Sequence, residues 1–341
     1  MSLPESRLMN RRRAVSILAL AYPMGVTMGR GAVSEGSKLL SAAELRRLMP
    51  SLGAQSRNRL LPVLNDSTQG GKIPSSEVEA IASLEHVSVD QLMLDLLPIA
   101  QLRSLAPLSQ YHVGAVVRGT SGSLYLGANL EVPGEMLGFS VHAEQSAVAN
   151  AFMHDEHGLT SIAITAAPCG HCRQFLNELS NAPDLKLIIK GRDPTELSAL
   201  LPAAFGPGEL RVTERVFRSR KVGLDLVGGS SGDLASLALR AAAKSYAPYT
   251  RAHSGVALIA STSTVYAGSY LENAAFNPSL SPLQSALVGL AMAYEDPARI
   301  ASVVLVELES APISQMSATK AVLDGLAPAA RLRRVTARLR Q

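Results

Sequence analysis

The feature that most constrains this chain is a repeat inside it. Ala106-Pro107 recurs as Ala247-Pro248, His112 as His253, Gly114 as Gly255, Tyr125 as Tyr266, Gly127 as Gly268 and Leu130-Glu131 as Leu271-Glu272. All of these share one offset of 141 residues. After a shortening of two residues, Gln145-Ser146-Ala147 recurs as Gln284-Ser285-Ala286 at an offset of 139. Common offsets over about forty positions are hard to obtain by chance, so the chain reads as two copies of one unit. At 341 residues it has room for two domains and a smaller piece.

Within the first copy, residues 113–117 and 124–126 are short apolar runs separated by Gly119-Thr120-Ser121-Gly122, a β-hairpin pattern. Residues 142–152 then read as a helix, 161–166 as a buried strand, 169–179 as a helix and 185–189 as a strand. Such alternation implies an α/β domain whose sheet is covered on both faces. Upstream, residues 41–61 place Leu45, Leu48 and Leu52 at helical spacing behind a start signal at Ser41. Residues 75–84 follow Pro74 as a second short helix, and 90–105 form a strongly apolar one, broken or kinked at Pro98. Gly228-Gly229-Ser230-Ser231-Gly232 reads as a linker. The expected division is an N-terminal extension (1–35), a small helical segment (36–84), a working domain (85–215) and its second copy (228–341).

The net charge of +4 hides an uneven distribution. Residues 1–30 contribute +4 and residues 331–341 contribute +5, which leaves the body between them at −5. Nucleic-acid binding draws its affinity from clustered Lys and Arg, and the body lacks that excess. The basic ends read as solvated tails, with contact to an anionic partner as the alternative. No stretch reaches the ~18 uninterrupted apolar residues of a spanning helix, so no membrane role is expected. Arg11-Arg12-Arg13 followed by an apolar run fits a plain extension, an organellar or secretory targeting segment over 1–30, or a docked helix. The compartment expected for the body is cytoplasmic.

Only two cysteines exist, Cys169 and Cys172, three positions apart. They could be metal ligands, a redox pair or buried bystanders. No second C-x-x-C exists to complete a structural Cys₄ site, and a redox pair would leave His142-Ala143-Glu144 unexplained. A catalytic zinc takes three protein ligands and leaves one position open. Cys169 and Cys172 on the first turn of a helix point the same way, Pro168 suits that helix start, and His142 supplies a third ligand. The helix end and the metal favour thiolates. Glu144 stands two residues from His142, close enough to move protons without binding metal. His171 reads as a packing or hydrogen-bonding residue, and His154 and His157 as solvated. In the second copy Ser281-Pro282-Leu283 replaces His142-Ala143-Glu144 and no cysteine occurs, so one zinc per chain is expected.

H-x-E followed by P-C-x-x-C is the known signature of zinc deaminases acting on cytosine or adenine. Residues 141–147 (VHAEQSA) and 167–175 (APCGHCRQF) resemble the cytidine deaminases, specifically the long, two-lobed homodimeric type. Residues 127–131 (GANLE) and 272–278 (ENAAFNP) share the resemblance, which runs from about residue 84 to near the C-terminus. His as first ligand fits that type, whereas short tetrameric members use a third Cys.

The resemblance implies duplicated three-layer α/β/α domains, each a mixed sheet covered by helices. It implies zinc on His142, Cys169 and Cys172, and Glu144 as proton shuttle. Asn129 and Glu131 would grip the ribose hydroxyls, and the backbone at Ala143 would meet the pyrimidine edge. Tyr111 would pack on the base where the family more usually has Phe. Phe276 of a partner subunit would close the pocket, its alternative being a core aromatic of its own lobe. The implied reaction is hydrolytic attack at C4 of cytidine or deoxycytidine, with Glu144 protonating N3 and ammonia leaving, as in pyrimidine salvage. A deaminase of RNA or single-stranded DNA would need basic grooves and stacking platforms, and aromatics are only 4% of the chain. A deoxycytidylate deaminase would not set Glu131 beside a phosphate. A non-catalytic zinc scaffold would not need Glu144.

Overall fold

The computed structural model describes residues 39–228, 232–260 and 263–340. The expected N-terminal extension, with its targeting alternative over 1–30, lies outside the described residues, as do 229–231 at the centre of the expected linker.

Ser41 caps α1 (Ala42–Leu48), its hydroxyl accepting from the Glu44 amide while the Glu44 carboxylate accepts from Ser41 N. The expected single helix over 41–61 divides here. Met49, which precedes Pro50, leaves the helical region, as the proline ring requires. A new helix, α2 (Ala54–Asn65), starts after Gly53. β1 (Lys72–Ile73) and α3 (Ser75–Glu85) follow, and then α4 (Val89–Gln101), which runs through Pro98 without breaking. Burial of Leu92, Met93, Leu96 and Leu97 holds α4 together despite the missing proline donor.

The first sheet is built from β2 (Gly114–Gly119), β3 (Leu124–Ala128), β4 (Leu159–Ile164), β5 (Lys186–Ile189) and β6 (Thr195–Glu196), with β1 at its edge. Its order is β1-β3-β2-β4-β5-β6, and β4–β5 is the parallel pair among antiparallel ones. Helices α5 (Ala143–Met153), α6 (Gly170–Leu176) and the short α7 (Leu197–Leu200) connect the strands.

The second sheet takes β7 (Leu224–Leu226), β8 (Ser254–Ala260), β9 (Val265–Ser269), β10 (Ile300–Leu308) and β11 (Arg331–Leu339), ordered β7-β11-β10-β8-β9. Here β10–β11 is the parallel pair, and α8 (Asp233–Lys244), α9 (Pro282–Met292) and α10 (Met316–Leu326) are the helices. The orders β3-β2-β4-β5 and β9-β8-β10-β11 coincide strand for strand, so the sequence repeat is a repeat of fold.

The repeated glycines explain how the layers meet. A Cβ on Gly114 would lie 2.8 Å from Leu97 O in α4, and one on Gly127 would lie 2.6 Å from Ala143 O at the start of α5. Gly127 pairs with Ala115, the neighbour of Gly114, and adjacent strand residues face opposite sides. Helices α4 and α5 therefore cover opposite faces, the three-layer arrangement expected. Gly255 and Gly268 make the same approaches to α8 and α9.

The lobes meet along α5 and α9 with reciprocal bonds. Gln145 Nε2 donates to Pro278 O at 3.1 Å, and Gln284 Nε2 donates to Phe139 O at 2.9 Å. Each glutamine also caps its own helix, accepting from His142 N or Ser281 N. One apolar core runs through both lobes, from Leu45 and Leu96 to Leu283 and Leu305.

The basic C-terminal run is not a solvated tail. Residues 331–339 complete the sheet beside β10, Arg334 pairs with Glu307 at 2.5 Å and Arg340 with Asp225 at 2.8 Å. Ladder bonds to β10 outweigh the hydration of the arginines, whose heads stay at the surface. Among the described residues, no helix is long and apolar enough to cross a membrane.

Candidate active site

Three chain segments converge at one end of the first sheet: the turn leaving β3 at Asn129–Glu131, the start of α5 at His142–Glu144 and the start of α6 at Cys169–Cys172. Asn129, Glu131, His142, Ala143, Glu144 and Cys169 from these segments, with Tyr111, Val113, Leu137 and Ser140, line a cavity of about 400 Å³. That volume lies within the range of small-molecule sites.

His142 is the N-cap of α5 and Cys169 the N-cap of α6. His142 Nδ1 lies 3.2 Å from Cys172 Sγ and 3.5 Å from Cys169 Sγ, and the sulfurs are 3.5 Å apart. A tetrahedral ion with Zn–S of about 2.3 Å and Zn–N of about 2.0–2.1 Å spaces its ligands about 3.5–3.8 Å apart. The observed edges of 3.2–3.5 Å lie at or slightly inside that spacing, so a small outward shift of the three side chains would seat zinc. On their own the two sulfurs share one proton. A hydrogen bond from Cys172 pulls Cys169 down to about 4, while that bond and burial push Cys172 up. A divalent cation would resolve this by taking both as thiolates, which with neutral His142 balance its charge.

Pro168 stands one residue before the Cys169 cap, not at the first helical position as expected. Its carbonyl accepts from Arg173 Nε at 2.9 Å, which braces the cysteine turn against α6. His171 stacks on His142, rings 5.6 Å apart, and lies outside the ligand trio. Burial lowers its pKa, which favours the neutral ring.

Glu144 is 4% exposed, in the first turn of α5. Burial raises its pKa against the opposing pull of its own backbone amide, Cys172 and His142. It lines the cavity beside the ligands without being one of them.

Asn129 and Glu131 face the cavity but also hold its rim. Asn129 Oδ1 accepts from Val113 N and Ser104 Oγ, both at 2.8 Å, and its Nδ2 donates to Tyr111 O at 2.9 Å. Glu131 accepts from Leu108 N at 2.8 Å, from Ser109 N at 3.0 Å and from Ser109 Oγ. Burial alone would raise its pKa, but these bonds outweigh it and hold it below the ordinary value. Sequence reasoning missed this second task, although the repeat carried its signal. Glu272 accepts in the same way from Tyr249 N, Thr250 N and Thr250 Oγ1, each 141 positions on.

In the second lobe the corresponding positions carry no ligands. Tyr270 stands at the position of Asn129 and Leu283 at that of Glu144, both buried, and Ser281 caps α9 through its hydroxyl. Tyr111 stands on the cavity rim, 62% exposed. Phe276 is 61% exposed and lies outside this lining, so it is not a core residue of its own lobe.

Fold and site define a class, the zinc-binding deaminase domain, present twice and equipped with ligands once. The family model described as the cytidine and deoxycytidylate deaminase zinc-binding region matches residues 87–185, and a second of that description matches 197–320. Cytidine deaminase of Serratia proteamaculans is 45% identical over 74% of this chain and 86% of its own. That of Photobacterium profundum is 40% identical over 84% of this chain and 96% of its own. Among solved structures, cytidine deaminase from Mycobacterium tuberculosis is 28% identical, with a TM-score of 0.32 over 34% of this chain and 96% of that one. The chain belongs to the cytidine deaminase family.

Proposed function

We propose that this protein hydrolyses free cytidine and deoxycytidine to uridine and deoxyuridine with release of ammonia, a step of pyrimidine salvage. The observation that carries the reading is His142, Cys169 and Cys172 set at zinc-ligand spacing, with His142 and Cys169 lining a cavity that Glu144, Asn129 and Glu131 also line and Cys172 buried beside it. Zinc held by these three would supply a nucleophilic water at neutral pH for hydrolysis at C4 of the ring.

The chain's own residues do the rest. Glu144 takes a proton from the attacking water and delivers it to N3, then takes the remaining proton from the new C4 hydroxyl and passes it to the amine as the C4–N bond breaks. Water and cytidine thus balance uridine and ammonia. Its burial excludes competing solvent from that transfer. The Ala143 backbone, at the start of α5, is placed to meet the pyrimidine edge, and Tyr111 covers its face. Asn129 and Glu131 engage the ribose hydroxyls with the capacity their rim bonds leave free. Among the described residues, the cavity lining contains two carboxylates and no Lys or Arg. That favours an uncharged nucleoside over a nucleotide or a nucleic-acid backbone.

Domain roles follow: residues 85–215 carry the chemistry and 228–341 form the non-catalytic copy, joined by a small helical segment at 36–84 and an extension at 1–35. The working form is a cytoplasmic homodimer in which Phe276 of one copy closes the cavity of the other. Its exposure and its position outside its own chain's cavity support that role. Ultraviolet monitoring of purified protein with cytidine, with and without a chelator, tests the reading. Chelator-sensitive conversion to uridine is expected, and turnover of an oligonucleotide but not of free cytidine would overturn it.

A further inference from the structure

Glu178 follows α6 in the first lobe and is 1% exposed; the charge of Arg215 acts on it, but no basic side chain lies within ion-pair distance of it among the described residues. Its acceptors are used entirely by the second lobe. Ala274 N donates to Oε1 at 2.6 Å, Tyr246 Oη to Oε2 at 2.8 Å, and Tyr249 Oη lies 2.9 and 3.1 Å from the two oxygens. A buried carboxylate hydrogen-bonded only by neutral donors is costly to keep, and burial raises its pKa despite those bonds and the charge of Arg215. Such a group invites the question of what it holds in place.

It holds the turn that displays Phe276. Phe276 has a φ of +62°, a left-handed conformation unfavourable for a bulky residue, and it persists only where the surroundings over-determine it. Glu178 fixes the backbone two residues before it, at Ala274. It also pins the hydroxyl of Tyr249, whose ring lies 6.4 Å from the Phe276 ring. Two more first-lobe side chains tie the same turn. Gln174 exchanges bonds with Asn273 (2.9 and 3.3 Å), and Gln145, which caps the helix at His142, donates to Pro278 O. The turn belongs to the second lobe in sequence but is held by the first.

We propose that Glu178 is a positioning residue for substrate binding, holding the 273–278 turn so that Phe276 stands ready to close the cavity of a second copy. This rests on the pocket-closing reading of Phe276. The full-length, zinc-loaded protein is assayed with cytidine as wild type, Glu178→Ala, Phe276→Ala and the double variant, with zinc content and thermal melting measured for each. Phe276→Ala is expected to raise KM by about tenfold with kcat little changed, the scale of one lost aromatic contact. Glu178→Ala is expected to raise KM similarly, and the double variant no further than the larger single one. If Glu178→Ala does not fold, Glu178→Gln and Tyr249→Phe take its place in the same cycle, with smaller KM effects that vanish in the Phe276→Ala background. An unchanged KM for the Glu178 variants beside a raised KM for Phe276→Ala overturns the positioning role and leaves the reading of Phe276 standing. Additive effects overturn it too, because Glu178 then acts elsewhere. An unchanged KM in Phe276→Ala removes the pocket-closing reading itself, and this inference with it.

Discussion

Gly127→Ala separates the position of a helix from the chemistry at its end. The added Cβ would lie 2.6 Å from Ala143 O and 2.6 Å from Ala147 Cα, and closer still to Ala147 N. All three are backbone atoms of α5, so no side chain can swing aside. Ordinary contact needs about 3.4 Å or more, so α5 must retreat by at least about 0.8 Å, an overpacking shift that typically costs ~1–3 kcal/mol. His142 and Glu144 ride on that helix end, and metal–ligand distances tolerate only about ±0.2 Å. The variant is therefore expected to lose zinc and turnover together as well as stability. Gly268→Ala is the internal control. Its Cβ would press on α9 in the same way, against Ala286 N, Pro282 O and Ser285 C, but that helix carries no ligand. Urea unfolding should show similar destabilisation of both variants. Zinc content after dialysis against a weak chelator should fall only in Gly127→Ala. Full zinc and turnover in Gly127→Ala would refute the reasoning, as would equal zinc loss in both.

Glu144→Ala should keep one zinc per chain by atomic absorption and lose turnover by at least ~10²-fold, the usual worth of general acid–base catalysis. Cys172→Ser should bring the zinc count from one to none, because the second lobe has no ligands to substitute. Glu131→Gln should loosen the 104–113 rim and raise KM for cytidine. It should also flatten the acid limb of stability: the Glu131 carboxylate sits below its ordinary 4.5, so its contribution is present above that value and lost as pH falls through the lower folded one. Melting temperature against pH, wild type beside variant, reads this directly, and parallel curves below pH 4.5 would contradict it.

Much of the architecture was legible because it is written twice. The repeat offsets located β2, β3 and α5 against β8, β9 and α9, and apolar periodicity found β2, β3, β4 and β5 within a few residues but neither of the two-residue edge strands β1 and β6. The departures lie where local rules compete. Pro50 divided an expected helix, while Pro98 failed to divide one, because burial of the α4 face outweighs one lost bond. The arginine-rich C-terminus looked solvated by composition, yet its backbone pairs with β10, a term invisible to charge counting.

Spacing alone nominated His142, Cys169 and Cys172, since a C-x-x-C at a helix start directs both sulfurs one way. That they close to 3.2–3.5 Å of one another is a tertiary fact, set by two helices beginning at the same edge of a sheet. The double duty of Asn129 and Glu131 left only an indirect trace in the repeat, and the Glu178 bonds to a turn 96 positions away were beyond any reading of the chain. Sequence by itself determined the repeat, the ligand types and the loss of the site from one copy, because these depend on residue identity at short range. Tertiary structure decided what each polar group can still offer a substrate, because hydrogen-bond capacity is spent on whichever neighbours folding brings into reach.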